Sequence, residues 1–523
     1  MYALHRDLGG LHSAPMVVSG PHREGEPKPE MYGVKKSDGA ILPVKRANKG
    51  ARAAAESVEE RASTKGNPRG ESTRRTQCRE SVTQAAERIR QAATRKPQEK
   101  LTALLHHVTP DALRWAFHAL KRDAAAGVDG MTWAEYAEGL EERLLDLHRR
   151  VQSGAYRAPP VRRVEIPKPD GGTRPLGVAA LEDKIVQKAV TEIILTPIYE
   201  PVFLGFSYGF RPGRGAHDAL DALAVAINRR KVNWVVDCDI QRFFDSVSRS
   251  WLVRFLEHRI GDRRVIRLIV KWLKAGVIVD GRWQDTPQGT PQGAIVSPVL
   301  ANVYLHYVLD LWFHREWRPE GAEGDAIIVR YADDVVVGFE HKRDAEHFLA
   351  ALAERLGQFD LALHPAKTRL IEFGGHAEAN RRAKGLGRPE TFDFLGFTHY
   401  CRKTRGGRFG LGRKPAAKRV RRTLKRVAEA LRRRMHHNLH QVAQWLGRVV
   451  NGWLNYFAVP TSLRFLRNFV RALTRTWMKV LRRRSQRDRF SWLRLKALVD
   501  RYWPTPRIRH PWPSVRFAVK YPR

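Results

Sequence analysis

Asp333 and Asp334 stand side by side between two apolar runs, Ala326-Ile327-Ile328-Val329 and Val335-Val336-Val337. Such runs around a tight polar break read as buried strands joined by a hairpin. Two carboxylates at that turn repel each other and lose solvation, a cost that a divalent cation removes. Alone the pair is weak evidence, because Asp favours turns anyway. A third carboxylate adds to it: Asp239 ends the run Trp234-Val235-Val236-Asp237-Cys238-Asp239, and Asp237 shares its face. Nucleotidyl transfer uses such a set. Two Mg²⁺ ions roughly 4 Å apart clamp the attacking and leaving oxygens, and Mg²⁺ takes carboxylates, phosphates and water as ligands. The three groups converge only if their strands are neighbours in one sheet.

Charge points to a polyanion. The 523-residue chain carries a formal net charge of +40, which favours a nucleic-acid partner. The excess is concentrated: residues 401–523 hold 34 Lys and Arg against Glu429, Asp488 and Asp500, a net +31. A solvated helix face mixes signs, and this region hardly does. Cys78, Cys238 and Cys401 are far apart and form no C-x-x-C pair, which argues against a zinc knuckle and a disulfide framework. With no apolar signal segment and no long apolar run, the chain is expected to be soluble and cytoplasmic, without a membrane partner.

The elements that position these residues follow from periodicity. Residues 1–80 are rich in Gly, Pro, Ser and charge, and are expected to be disordered. Helical patterns run over Ser81–His107 with a break at Pro97, from Pro110 through Leu120, and through Tyr136–Leu147. Residues 161–178 read as a hairpin around Asp170-Gly171, with Lys168 and Arg174 flanking the turn; by itself this is two exposed cations on a loop. Further helices are expected at Glu182–Leu195, His217–Ile227 and Arg343–Phe359. Leu361–Thr368 and Phe392–Phe397 read as strands. After Pro415, Val420-Leu424-Val427-Leu431 has helical spacing, and similar stripes follow at Trp445–Tyr456 and Leu466–Leu481.

These motifs, in this order, resemble a known family. The runs IPKPDGGTRPLGV, SYGFRPGR, DIQRFFDSV, TPQGAIVSPVLANVYL, YADD, LHPAKT and FDFLGF are similar to the successive blocks of group II intron-encoded reverse transcriptases, or intron maturases, of the endonuclease-lacking bacterial type. The resemblance covers about residues 100–480. It implies an α+β fold, a right-hand polymerase whose fingers and antiparallel palm are followed by a helical thumb. The division it suggests is a basic extension (1–80), N-terminal helices and fingers with part of the palm interleaved (81–235), palm (236–400), thumb or maturase X domain (411–482) and a basic nucleic-acid-binding tail (483–523).

The resemblance also implies roles. Asp239, Asp333 and Asp334 would bind two Mg²⁺ ions. Lys168 and Arg174 would grip the triphosphate of the incoming dNTP, Phe244 would exclude a ribose 2′-OH, and Gln292 would lie beside the incoming sugar. Lys367 and the thumb arginines Arg432, Arg433 and Arg434 would contact nucleic acid. The implied partners are group II intron RNA, a DNA target or primer, and dNTPs. The block AAAGVDGMT, residues 124–132, resembles one that contacts template RNA. Ala294 replaces a second Gly common in the family. No H-N-H endonuclease with paired cysteines follows, so priming from a nascent or single strand is expected. The alternatives are an RNA-binding splicing factor whose polymerase is unused, and a host-recruited reverse transcriptase. The segment Trp503–Pro513 is basic and aromatic, fit either for stacking on nucleic acid or for packing as a strap.

Overall fold

In the computed structural model the described residues are 69–167, 172–279, 282–285, 289, 293–484 and 490–520, without the side chains of 69–75, 174, 519 and 520. They belong to one compact unit, 67–523.

Helix α1, Arg69–Arg95, begins earlier than its apolar pattern suggests, inside the extension expected to be disordered. It ends just before Pro97, as the clash of a proline ring with the preceding residue demands. Arg259, 1% exposed, receives the loose end: its guanidinium donates to the carbonyls of Ala93, Lys96 and Glu99 at 2.9–3.0 Å. Helix α2, Pro110–Ala119, starts with proline in its first turn and Thr109 accepting from the Ala112 amide. Helix α3, Trp133–Ala137, is fixed by a Thr132–Glu135 capping box. Helix α4, Leu140–Ser153, lies between left-handed Gly139 and Gly154.

Strands β1, Val161–Pro167, and β2, Thr173–Val178, pair antiparallel from Arg162↔Val178 to Pro167↔Thr173. The buried helix α5, Leu181–Val190, continues through a π-helical turn, Thr191–Leu195. Helix α6, Ala216–Arg229, leads into β3, Trp234–Asp239. Helices α7, Arg249–Glu257, and α8, Arg263–Lys274, precede the small hairpin of β4, Val277–Val279, and β5, Arg282–Gln284. Helix α9 spans Ser297–Leu305. Then come β6, Ala326–Tyr331, β7, Asp334–Phe339, α10, Lys342–Gly357, and β8, Arg369–Glu372. Strands β9, Phe392–Phe394, β10, Phe397–Lys403, and β11, Phe409–Pro415, follow.

Among the described residues the strands form three sheets, ordered β2-β1-β4-β5, β6-β7-β3-β8 and β11-β10-β9. The second is antiparallel throughout and carries the acidic residues. Val235, Val329, Val336 and Ile371 share one apolar cluster with Leu220, Leu223 and Ile227 of α6. Helix α10 packs on β3 and β7, with Phe348 against Phe339 at 5.3 Å. The acidic strand ends are thus anchored by apolar residues of the same strands.

Two expected strands differ. Leu361–Thr368 is a loop: Leu363 bridges Ile240, and the strand begins only at Arg369, beyond Pro365, which lacks a ladder donor. Phe392–Phe397 is two strands, split by a turn with Leu395 at φ +49° and Gly396 at φ +80°.

The stripes after Pro415 become α11, Ala417–Arg433, α12, Leu439–Phe457, and α13, Leu463–Leu481. Helices α14, Trp492–Tyr502, and α15, Pro513–Lys520, complete the described chain. Their apolar faces join the cluster that contains α6. The segment after α14 packs as a strap. Trp503 stacks on Trp477 at 5.8 Å, the amides of Arg509 and His510 donate to the Ala458 carbonyl, and Arg516 approaches the buried Asp221 within 2.6 Å. No helix among the described residues is long and apolar enough to cross a membrane.

Candidate active site

The central sheet places two of the expected carboxylates opposite each other. Asp239, last in β3, is the register partner of Asp334, first in β7, and Asp334 also pairs with Tyr331 across the β6–β7 hairpin. Asp333 lies in the intervening turn. Residues directly opposite in an antiparallel pair have Cβ atoms about 4.5–5.5 Å apart, and like charges there are unfavourable. A cation already answers part of that charge: Lys367 Nζ lies 2.7 Å from Asp239 Oδ2. The loop carrying Lys367 is held to the same residue, because the Asp239 carbonyl accepts from the His364 amide at 2.7 Å.

Among the described residues, no three Asp, Glu, His or Cys side chains form a cluster that could hold a metal. The donors are nevertheless of the right kind for Mg²⁺, which selects hard carboxylate oxygens and leaves positions to phosphate and water. Asp239 and Asp334, opposed in the ladder, with Asp333 in the adjoining turn, are donors of that chemistry. Asp237, one pleat earlier on the same face, pairs with Arg369 at 3.4 Å. Burial pushes its carboxyl up to about 6, against the pull of Arg369 and with the push of Asp393 and Asp239.

The hairpin bearing Asp333 rests on a buried polar network that the sequence reading did not identify. Arg330 and Asp310 are both 0% exposed. The Arg330 guanidinium donates to Asp310 through Nε at 2.7 Å and a terminal nitrogen at 2.5 Å, and to Asn302 Oδ1 at 2.9 Å and the Ala332 carbonyl at 3.0 Å. Asn302 in turn donates to the Gly209 carbonyl at 2.7 Å. A Cβ on Gly209 would lie 2.4 Å from the Ala332 amide nitrogen, so only glycine lets this loop meet the turn. Ala332 itself is left-handed at φ +57°. The only hint in the sequence was an arginine inside an apolar strand, which needs a buried partner.

Glycine contacts also place the opposite flank. Phe243 is buried and Phe244 half-buried beside it, rings 5.4 Å apart. A Cβ on Gly289 would meet the Phe244 carbonyl at 2.7 Å, and one on Gly293 would meet the Gly177 carbonyl of β2 at 2.7 Å. Gly289 therefore lies against Phe244, and Gly293 against the β1–β2 hairpin. Lys168 and Gln292 lie outside the described residues. Arg174 pairs with Ile166 in the ladder, but its side chain is also outside them. The Gly127 loop packs against Ala180, with its Ala126 carbonyl accepting from Arg162 at 2.7 Å. Arg432 and Arg433 are exposed at the end of α11, whereas half-buried Arg434 lies over the Trp445 ring at 4.8 Å. The sheet thus brings together Asp239 and Asp334, with Lys367 reaching Asp239 from a neighbouring loop, while Arg432 and Arg433 end a separate helix.

Residues 166–399 match the family described as "Reverse transcriptase (RNA-dependent DNA polymerase)". The chain is 37% identical over 223 residues to the group II intron-encoded protein LtrA of Lactococcus lactis subsp. cremoris, covering 42% of this chain and 37% of that protein. It is 36% identical over 202 residues to protein YkfC of Escherichia coli K12, covering 38% of this chain and 52% of that protein. A match of 34% over 181 residues joins it to the putative COX1/OXI3 intron 2 protein of Saccharomyces cerevisiae, covering 34% of this chain and 21% of that protein. The chain spans only about a fifth to a half of these relatives. With its acidic strand ends set in an antiparallel sheet inside the matched segment, the chain is similar to the reverse-transcriptase family over residues 166–399 and resembles the group II intron-encoded reverse transcriptases.

Proposed function

We propose that this protein is an RNA-directed DNA polymerase of the group II intron kind, which also binds intron RNA to promote splicing and retrohoming. The observation that carries the reading is the register of Asp239 with Asp334 across β3 and β7. In this reading the central sheet is the palm of a right-hand polymerase, the β1–β2 hairpin belongs to the fingers, and α11–α13 form the thumb.

The primer 3′-hydroxyl attacks the α-phosphorus of a dNTP, a new P–O bond forms, and pyrophosphate leaves. Two Mg²⁺ ions, when bound, would supply Lewis-acid stabilisation of the charge that develops at the attacking and leaving oxygens. Asp239, Asp333 and Asp334 would hold those ions at the strand ends. Arg330 and Asn302 keep the hairpin from shifting, which matters because small misplacements of reacting groups are costly. Phe244 rests against the sugar edge of the dNTP and crowds a 2′-hydroxyl, with Gln292 beside that sugar and Lys168 and Arg174 on the phosphates. Lys367 shields Asp239 until nucleic acid and metal arrive.

Purified full chain should extend a DNA primer on an RNA template with dNTPs and Mg²⁺, and Asp333→Ala should abolish extension. Extension unchanged in that variant refutes the assignment of the acidic residues.

The second reading, an RNA-binding splicing factor with an unused polymerase, draws on α13. Its outer face carries Arg464, Arg467, Arg471, Arg475 and Lys479, all exposed, and the helix contains no acidic residue. Such a ridge suits a phosphate backbone. Arg467→Glu with Arg471→Glu should weaken RNA binding and flatten its salt dependence by roughly one unit of log–log slope per lost phosphate contact. Splicing by an extension-dead Asp333→Ala protein would favour a separable RNA role.

A further inference from the structure

Phe210 stands out twice. Its side chain is 59% exposed, and its backbone is left-handed at φ +57°, a conformation that costs a residue with a Cβ about 1–2 kcal/mol. Neither feature comes from a loose loop. The preceding Tyr208 is buried and its amide donates to the Arg330 carbonyl at 2.9 Å. Gly209 touches Ala332 and its carbonyl accepts from Asn302. The following Arg211 is 5% exposed, pairs with Glu200 at 2.8 Å and donates to the carbonyls of Leu204 and Ser207 at 2.7 Å. The loop is fixed on both sides of the one residue whose ring it presents to solvent. Strain held in place by its surroundings points to a functional demand on that residue.

The ring lies beside the acidic hairpin, with its centroid 6.4 Å from that of Tyr331 at 46°. The strand order places it on a definite side. The Phe210 loop bridges β6 through Ser207↔Arg330, whereas Phe244 follows β3, on the other side of β7. The opposed carboxylates therefore have an aromatic on each flank. A transfer between two nucleotides needs two seats. With the dNTP on the Phe244 side, the Phe210 side faces the other reactant.

We propose that Phe210, with Tyr331, forms an apolar shelf for the growing end of the primer–template hybrid, packing on the sugar and base edges of its last base pair. The inference rests on the polymerase reading above. A planar ring recognises nucleotides without regard to sequence, as a polymerase requires. Rigid presentation avoids the entropy of ordering a side chain on binding.

The test measures steady-state extension by the full chain, varying primer–template and dNTP separately. Phe210→Ala should raise KM for primer–template about tenfold or more, the scale of losing one base-stacking ring, and leave KM for dNTP unchanged. Phe210→Tyr should behave like wild type. Phe210→Gly separates function from folding: it relieves the left-handed backbone, so its melting temperature should equal or exceed that of wild type, yet it should show the same rise in KM. A folded Phe210→Gly with wild-type KM for primer–template overturns the shelf while leaving the polymerase reading intact. A wild-type chain that extends no primer overturns the polymerase reading itself, and the shelf with it.

Discussion

Asp239 and Asp334 face each other across an antiparallel ladder, one closing β3 and the other opening β7. Lys367 is placed against Asp239, its Nζ 2.7 Å from Oδ2. A fold that opposes two acids in this way sacrifices some stability to hold negative charge at one point.

That sacrifice is measurable. Asp334→Asn removes the like-charge opposition while keeping size and shape, and cross-strand pairs of this kind matter by about 0.2–1 kcal/mol. In metal-free buffer the variant should be as stable as wild type or slightly more so, by denaturant unfolding. A clear loss of stability would mean that Asp334 serves the fold rather than the site.

Arg330 is the reverse case. Its buried guanidinium is matched by Asp310 and Asn302, so Arg330→Met leaves the buried Asp310 without its bidentate cation, with His306 Nδ1 nearby at 4.0 Å. Breaking a buried pair costs about 3–5 kcal/mol. Arg330→Met should therefore melt well below wild type. The double variant Arg330→Met with Asp310→Leu should recover much of that stability but not the activity, because the Ala332 carbonyl still lacks its donor. Recovery of both would show that the network only fills space.

Gly209→Ala tests the contact between loop and hairpin. The added methyl meets backbone at Ala332, which cannot swing aside as a side chain does. Overpacking of this kind costs about 1–3 kcal/mol. Extension should fall more steeply than stability, since the displaced element carries Asp333. Crystals or spectra of an unshifted hairpin in an inactive variant would contradict this.

How much of this was readable beforehand depends on distance along the chain. The three helices after Pro415 follow from the spacing of Val420, Leu424, Val427 and Leu431, because helical periodicity is local. The hairpin at Asp333 followed from two valine- and isoleucine-rich runs for the same reason. The alignment of Asp239 with Asp334 did not, since it depends on a ladder between residues 95 or more apart in the chain, a register no local pattern fixes. The Arg330–Asp310–Asn302 network was hidden likewise: each member sits in an apolar helix or strand whose pattern predicts only burial. Leu395-Gly396 was missed because Phe392 to Phe397 reads as one apolar run, and only the left-handed turn divides it. The contact of Lys367 with Asp239 depends on a loop around Pro365 whose apolar spacing predicts a strand.

Asp237 should make stability depend on pH. Its carboxyl is raised from the usual 3.8 to about 6 by burial, so the folded state binds the proton more tightly than the unfolded state does. Its contribution is favourable below about pH 4, declines as pH rises toward 6, and is lost above that. Asp237→Asn should therefore stabilise the chain at pH 7–8 and make no difference near pH 4. Unfolding measured across that range checks the sign, and equal effects at both ends would refute it.

The most direct test of the central claim is single-nucleotide incorporation on an RNA template by full-length protein, compared among wild type, Asp239→Asn and Asp334→Asn at saturating Mg²⁺. The account predicts that wild type adds the nucleotide, and that each variant loses about a thousandfold in rate or more, the scale of removing an electrostatic group aimed at the reacting centre. Both variants should still bind the primer–template hybrid as tightly as wild type. Incorporation by either variant within tenfold of wild type would contradict the assignment of this strand pair as the polymerase centre.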